Sequence, residues 1–147
     1  MSTNKISIGC DHAGFKLKES IKNYLIGKGY DVKDFGTNSE ESVDYPDYAK
    51  LVAKDVVKNN SRGILICGTG IGMSIAANKI KGIRAAVCRN EYDAEMSRRH
   101  NDANVLTLGG RITPKAKAKK IVDVFLKTPF EEGRHIQRIK KIHDLEK

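Results

Sequence analysis

RGILICGTGIGMSIAAN, at residues 62–78, places an apolar run, a glycine-rich turn and a helix-forming segment in direct succession. The apolar run at 64–66 is typical of a buried strand, which ends at Cys67. Three glycines follow at alternate positions, Gly68, Gly70 and Gly72, and residues 73–80 then favour a helix. A strand that leads through a tight turn into a helix is typical of α/β proteins.

The turn is suited to holding an anion beside a thiol. Glycines let backbone N–H groups point to one spot, and the start of a helix adds the positive end of its dipole. Cys67 stands at the edge of this turn, in surroundings that favour a thiolate. A base beside an oxyanion site can move a proton next to a carbonyl. Taken alone, the segment fits equally well a structural turn with a buried cysteine.

Two common phosphate motifs do not describe this turn. A P-loop ends in Gly-Lys-Ser/Thr, but the first lysine after the glycines is Lys79. A dinucleotide-binding loop has the spacing G-x-G-x-x-G, whereas the spacing here is G-x-G-x-G.

Strands and helices alternate along the rest of the chain. We predict strands at 5–10, 31–35, 64–66, 83–87 and 104–108, each followed by a helix, and a last charged helix at about 131–145. This alternation predicts one domain over residues 1–147, with a parallel sheet covered by helices on both faces.

Ligands of such sheets bind beyond the carboxyl ends of the strands. Asp11 and His12 follow the first predicted strand, Cys67 the third and Arg111 the fifth, so we expect them on one rim. Asp11 and His12 could instead be a helix cap and a surface histidine.

Three further candidates lie at the end of the fourth predicted helix and on the last helix. His100, at the end of the fourth helix, could be a partner of the helix dipole. Arg134 and Arg138 are four residues apart and share one helix face. Such a face is usually only solvated, but above an active rim the two arginines would form a phosphate clamp.

Composition narrows the class of protein. The chain has 147 residues. It contains three cysteines, and an odd number of cysteines argues against a disulfide framework and for a reducing compartment. We therefore expect a cytoplasmic protein. The cysteines lack zinc-site spacing, no apolar run is long enough to span a membrane, and the N-terminus is unlike a secretory signal. We expect no metal and no cofactor.

The net charge of +9 raises the alternative of a nucleic-acid-binding module. Most of the excess is lysine spread over predicted helix surfaces, and aromatic residues make up only 6% of the chain. A basic surface that attracts anionic metabolites accounts better for this pattern.

Several motifs, in order along nearly the whole chain, closely resemble those of the B-type ribose-5-phosphate isomerases, which share a superfamily with galactose-6-phosphate isomerase. The motifs are GCDHAGF at 9–15, DYPDYA at 44–49, ILICGTGIGMSIAANK at 64–79, RRHNDANVL at 98–106, GGRI at 109–112 and GRHIQRI at 133–139. The resemblance implies an α/β fold, a Rossmann-like three-layer α/β/α sandwich with a five-stranded parallel sheet. It also implies a metal-free interconversion of ribose 5-phosphate and ribulose 5-phosphate by a homodimer, sometimes a tetramer, with active sites at the subunit interface.

The resemblance also implies a role for each matching residue. Cys67 is the match to the base that shuttles a proton between C2 and C1, and His100 to the acid that opens the sugar ring, with Asp11 assisting. The enediolate oxygen would be held by backbone N–H groups of Gly68, Thr69, Gly70, Ile71 and Gly72. Phosphate would be bound by His12, Arg134 and Arg138. Asn101 and Arg111 match substrate contacts that we expect from the partner subunit.

The same comparison separates this chain from related branches. One branch uses a glutamate at the position of Met73, which cannot accept a proton, so this chain resembles the cysteine branch. Cys10 and Cys88 follow no glycine-rich turn, and we expect them to be packing residues. An isomerase of a six-carbon sugar phosphate, such as allose or galactose 6-phosphate, is the alternative within enzymes. The presence of His100 favours the pentose.

Overall fold

The computed structural model of the chain describes residues 4–147, and the first three residues of the N-terminus discussed above lie outside that range. Five strands form one sheet: β1 Lys5–Cys10, β2 Asp31–Asp34, β3 Arg62–Cys67, β4 Ala85–Val87 and β5 Val105–Gly109. All pair in parallel, in the order β2-β1-β3-β5-β4. The predicted five-stranded parallel sheet is confirmed.

Six helices cover the two faces of the sheet. They are α1 Phe15–Gly27, α2 Tyr45–Asn59, α3 Ile71–Ala77, α4 Glu91–Arg99, α5 Lys115–Lys127 and α6 Arg134–Asp144. Alternate residues of β3 point to opposite faces: Ile64 and Ile66 pack with α1, α4 and α5, whereas Leu65 and Cys67 pack with α2 and α3. The two buried clusters make the predicted three-layer α/β/α sandwich. Among the described residues, no helix is both long and apolar enough to cross a membrane.

Among the predicted boundaries that differ from the structure, the end of the third helix and the start of β4 have a common cause in one side chain. The third helix begins at Ile71 and ends at Ala77, not at 73–80, and β4 covers three residues rather than 83–87. The Asn78 side-chain amide accepts a hydrogen bond from the Ala85 N–H at 2.8 Å and donates one to the Ala85 carbonyl at 3.0 Å. Asn78 therefore ends the helix and occupies the place of a strand neighbour at the start of β4.

The register of the strands shows which residues lie at the carboxyl edge of the sheet and which lie at its amino edge. At the carboxyl edge, Cys67 of β3 is paired with Gly109 of β5. At the amino edge, the Gly63 N–H donates to the Asn104 carbonyl at 2.9 Å. Cys67 lies four residues beyond Gly63, which corresponds to roughly 13 Å along the strand. Because α4 runs back against the direction of the strands, its end and the residues that follow lie at the amino edge.

Candidate active site

Cys67 lies in a closed turn at the carboxyl edge of the sheet. The residue is 5% exposed, and its Sγ accepts a hydrogen bond from the Gly70 N–H at 3.2 Å. The turn is tied to the end of β5, since the Gly110 N–H donates to the Cys67 carbonyl at 2.7 Å and the Arg111 N–H to the Gly68 carbonyl at 3.1 Å. An amide N–H that points at sulfur stabilises negative charge there, as a base requires.

Two glycines of the turn cannot be replaced without displacing it. Gly70 has a φ of 83°, and a Cβ at this position would lie 2.9 Å from the carbonyl carbon of Leu108. A Cβ on Gly72 would lie 2.7 Å from the ring of Tyr45, at the start of α2. The turn is therefore pressed between β5 and α2, which fixes where its N–H groups point.

Two arginines bring positive charge to this turn. Arg89 donates through Nη1 to the Thr69 carbonyl at 3.1 Å, and the Thr69 hydroxyl accepts the Ile71 N–H at 3.3 Å. The Arg111 guanidinium lies beside Gly68, where an added Cβ would be 3.2 Å from its Nη1. The expectation that Arg111 reaches the site from a partner subunit was wrong in its geometry, because Arg111 already lies against the Cys67 turn of its own chain.

Asp11 is both a cap and a neighbour of the Cys67 strand. One carboxylate oxygen accepts the N–H groups of Ala13 and Gly14 at 2.9 and 3.2 Å, so the helix-cap alternative is realised in the structure. The Asp11 N–H donates to the Ile66 carbonyl at 3.1 Å, which holds the residue, 6% exposed, beside the end of β3. Capping and a position at the rim are thus combined in one side chain.

His12 is held by a hydrogen bond that selects its tautomer. Its Nδ1 accepts the Val43 N–H at 3.2 Å. Nδ1 therefore carries no proton, and the neutral ring has its N–H on Nε2. A half-buried imidazole of this kind offers one fixed donor to an anion at the rim.

A buried lysine supports the segment next to Asp11. Lys18 is fully buried and its Nζ donates to both oxygens of Asp34, at 3.0 and 2.8 Å, and to the Thr37 carbonyl at 2.7 Å. Residues 36 and 37 in turn exchange backbone hydrogen bonds with Cys10. Burial opposes ionisation of Asp34, but hydrogen bonds from Lys18, the Gly36 amide and Lys22 outweigh it and lower the pKa of Asp34.

The other two cysteines are buried packing residues, as expected. Burial raises the pKa of Cys10 and of Cys88 to about 12, against which Lys18 has a smaller opposite effect at Cys10 and Ser97 at Cys88. Both thiols therefore stay protonated near neutral pH and are poor nucleophiles.

A second group of candidate residues lies at the amino edge. His100 follows α4, with its N–H donating to the Met96 carbonyl at 2.9 Å, and its ring stacks on that of His135 at a centroid distance of 4.5 Å. Asn101 is exposed, while its carbonyl accepts a hydrogen bond from Arg84. Arg134 and Arg138 are exposed on α6, which carries His135.

The two groups do not meet within one chain. Cys67, Asp11, His12 and Arg111 lie at the carboxyl edge of the sheet. His100 lies at the opposite, amino edge, so the thiol and the imidazole are on different sides of the molecule. The expectation of an arginine pair above the Cys67 rim is not met inside a single chain either, because His135, next to Arg134, stacks on His100.

Sequence reasoning missed His135 and Glu131. His135 is 5% exposed, and its Nε2 is 3.4 Å from Glu131 Oε1. The only signal in the sequence was the position of His135 between the two arginines in GRHIQRI. Its contact with His100 depends on how the chain turns between α5 and α6, which no local pattern predicts.

Comparison with known proteins gives consistent matches over nearly the whole chain. Residues 6–142 match the family model described as Ribose/Galactose Isomerase. The chain is 52% identical to ribose-5-phosphate isomerase B of Escherichia coli (strain K12) over 143 residues, which cover 97% of this chain and 96% of that protein.

Two solved structures are also similar. Ribose-5-phosphate isomerase B of Clostridium thermocellum has a TM-score of 0.95 and 55% identity, with 97% of each chain covered. The enzyme from Mycoplasma genitalium, crystallised with bound ribulose 5-phosphate, has a TM-score of 0.93 and 48% identity, with 97% of this chain and 95% of that chain covered.

Proposed function

The chain belongs to the ribose/galactose isomerase family, and from this premise we propose that it interconverts D-ribose 5-phosphate and D-ribulose 5-phosphate without a metal ion. It is an aldose-ketose isomerase. The substrate is inferred from relatives with about half of their residues identical, one of which was crystallised with ribulose 5-phosphate. We place this reaction in the cytoplasm, which suits a chain with three free cysteines.

The observation that carries the proposal is the Cys67 thiol held by the Gly70 N–H in a closed glycine-rich turn. In the forward reaction, the thiolate takes the proton from C2 of the open-chain aldehyde, and the electron pair forms a double bond between C1 and C2. Negative charge then develops on the oxygen at C1. The N–H groups of residues 68–72 stabilise this charge while the proton of the C2 hydroxyl passes to the oxygen at C1. The thiol then returns its proton to C1, which leaves a carbonyl at C2 and gives the ketose.

The sugar ring must open before this proton transfer, and His100 is our proposed acid for that step, assisted by Asp11. Since His100 lies at the opposite edge of its own sheet from Cys67, a second copy of the chain must supply it. The proposed assembly is therefore at least a homodimer, in which each site combines the carboxyl edge of one chain with the amino edge of its partner.

Helix α6 offers an apolar surface for this assembly. Ile136 on α6 and Leu145 just after it are 51% and 84% exposed, and Ile142 is also exposed. Exposed large aliphatic side chains near the arginine-bearing face of one helix are typical of a surface that packs on another subunit.

The phosphate group would be bound by donors from both chains. His12 presents an Nε2 proton at the carboxyl edge, because Val43 occupies its Nδ1. Arg134 and Arg138 of the partner subunit, one helical turn apart, would reach the same dianion with planar, two-pronged donors. Asn101 of the same partner would contact the sugar.

The direct test is turnover of ribose 5-phosphate to ribulose 5-phosphate by the purified protein, with and without a chelator. We expect turnover in both conditions, little with unphosphorylated ribose, and slower turnover of allose 6-phosphate or galactose 6-phosphate. Faster turnover of either six-carbon substrate would reassign the substrate while keeping the reaction type. The absence of isomerisation of all three phosphates would refute the proposal.

A further inference from the structure

Three potential metal ligands converge at the amino edge of the sheet. They are His100 after α4, Glu131 before α6 and His135 on α6, and their ligand atoms all lie within 4.8 Å of one another. The expectation that the chain binds no metal was drawn from sequence spacing, whereas these three residues are brought together only by the fold.

His135 gives an independent indication that this cluster binds something. Its side chain is 6% exposed, and its Nε2 has no hydrogen-bond partner within residues 4–147. Glu131 Oε1 is 3.4 Å away, but the arrangement does not have the geometry of a hydrogen bond. A buried polar atom without a partner is destabilising, so it is expected where a ligand completes the site.

The backbone holds the three residues in place. The Glu131 N–H donates to the Arg99 carbonyl at 3.0 Å, which fixes the segment before α6 to the end of α4, next to His100. The His100 N–H donates to Met96, and the His135 N–H to Glu132 at 3.2 Å. The two imidazole rings are stacked with an interplanar angle of 16°. The three ligand-bearing residues therefore stand on a backbone whose position is set by hydrogen bonds.

We propose that His100, Glu131 and His135 form a binding site for Zn²⁺ or a similar borderline divalent ion. Two imidazole nitrogens and one carboxylate suit zinc, whereas Mg²⁺ and Ca²⁺ take mainly oxygen ligands. Zinc bonds of about 2.1 Å at tetrahedral angles place neighbouring ligand atoms roughly 3.4 Å apart. The pair of His135 Nε2 and Glu131 Oε1 already has that separation, and the ligand atoms of all three residues lie within 4.8 Å of one another.

An ion at this site regulates the isomerase, because it occupies the imidazole that opens the sugar ring. Zinc is then a reversible inhibitor, and a chelator restores activity. The inhibition rests on the proposed role of His100, whereas the binding of the ion depends only on the three side chains.

The test measures binding and activity separately in the full-length protein. Zn²⁺ is titrated by calorimetry into the parent protein, Glu131→Gln, His135→Gln and the control variant His143→Gln. His143 lies on the same helix and pairs with Glu146 at 2.8 Å, so it reports non-specific imidazole binding. Co²⁺ replaces Zn²⁺ in a parallel titration, since its absorption spectrum distinguishes nitrogen and oxygen ligands from a thiolate. Cys67→Ser tests whether the thiol binds the ion.

We expect one ion per chain in the parent, in His143→Gln and in Cys67→Ser, without thiolate-to-cobalt absorption. Affinity should fall at least about tenfold in Glu131→Gln, by comparison with the effect of even outer-shell substitutions in metal sites. Glu131→Gln, exposed and outside the isomerase machinery, should keep its basal turnover and lose its sensitivity to zinc. Equal zinc affinity in all variants, or loss of zinc binding in Cys67→Ser, would refute the proposed site. Binding as expected without inhibition would instead overturn the role of His100.

Discussion

Isolated mixed dimers test whether each active site is shared between two chains. Cys67→Ala removes the base from the carboxyl edge, and His100→Asn removes the acid from the amino edge. The two edges are separated by the length of β3, roughly 13 Å from Gly63 to Cys67, so the two substitutions affect different halves of a site. Each pure variant should turn over ribose 5-phosphate far more slowly than the parent, by roughly 10²–10⁴-fold for the base.

The magnitude follows from two-fold symmetry. A mixed dimer with one Cys67→Ala chain and one His100→Asn chain has one site with both defects and one site with neither. Its activity should therefore recover to about half of the parent value per dimer. The assay is isomerisation by heterodimers that are co-expressed with two different affinity tags and purified on both.

The matched control is a second heterodimer, for which shared sites predict loss of activity rather than recovery. A heterodimer of the parent chain with a Cys67→Ala/His100→Asn double variant contains one defect in each shared site, so it should be nearly inactive. If each chain instead contained a complete site, this control would keep about half of the activity and the first heterodimer would have almost none. That pair of results would refute the argument from the two edges.

Three further predictions concern single residues. Cys67→Ser should lower kcat by roughly 10²–10⁴-fold and leave substrate affinity nearly unchanged, as measured by steady-state kinetics and calorimetry. Arg134→Ala and Arg138→Ala should each lower kcat/KM for ribose 5-phosphate by roughly 10- to 100-fold, since hydrogen bonds to charged groups contribute about 1.5–3 kcal/mol, and lysine should restore only part of the loss. Asp34→Asn should lower the free energy of unfolding by about 3 kcal/mol in urea at pH 7, because it leaves the buried Lys18 without its main counter-charge. The pKa of Asp34 is lowered in the folded state. Its stabilising effect is therefore fully present above the ordinary carboxyl pKa of about 4 and is lost as the pH falls through the lower pKa of the folded state. The difference in free energy of unfolding between the parent and Asp34→Asn should shrink over the same pH range.

Matched variants separate these effects from general damage. Cys88→Ser, at a buried packing cysteine, should keep kcat, and a loss equal to that of Cys67→Ser would remove the case for a specific base. Lys140→Ala, at an exposed position of α6, should leave kcat/KM within about twofold of the parent. Glu40→Gln breaks an exposed ion pair with Lys16 at 3.7 Å and should change stability by less than about 1 kcal/mol. A similar effect for Asp34→Asn would show that Lys18 needs no buried partner.

Local patterns predicted what depends on neighbouring residues. The order of strands and helices and the turn after Cys67 follow from apolar runs, glycines and helix periodicity within short windows. The Asp11 cap was also foreseen as an alternative, because an acidic residue before a turn has few other local uses.

Features that depend on contacts between residues far apart in the sequence could not be predicted from local patterns. The early end of α3 is caused by Asn78, whose side chain binds Ala85 across an intervening loop. The stacking of His100 on His135 depends on the path between α5 and α6. For Arg111, the order of strands predicted a place on the rim with Cys67, and only the family resemblance suggested a partner subunit. Its contact with Gly68 in one chain arises because β3 and β5 are neighbours in the sheet.

The side chain of Asn78 has a consequence for how copies of this chain associate. An outer strand with free N–H and carbonyl groups is a template to which another strand can add, and such additions lead to open-ended aggregates. Here β4 has only three residues, and both polar groups of Ala85 are already bound by Asn78. This side of the sheet is therefore a poor site for strand addition, which disfavours open-ended aggregation of the chain through β4.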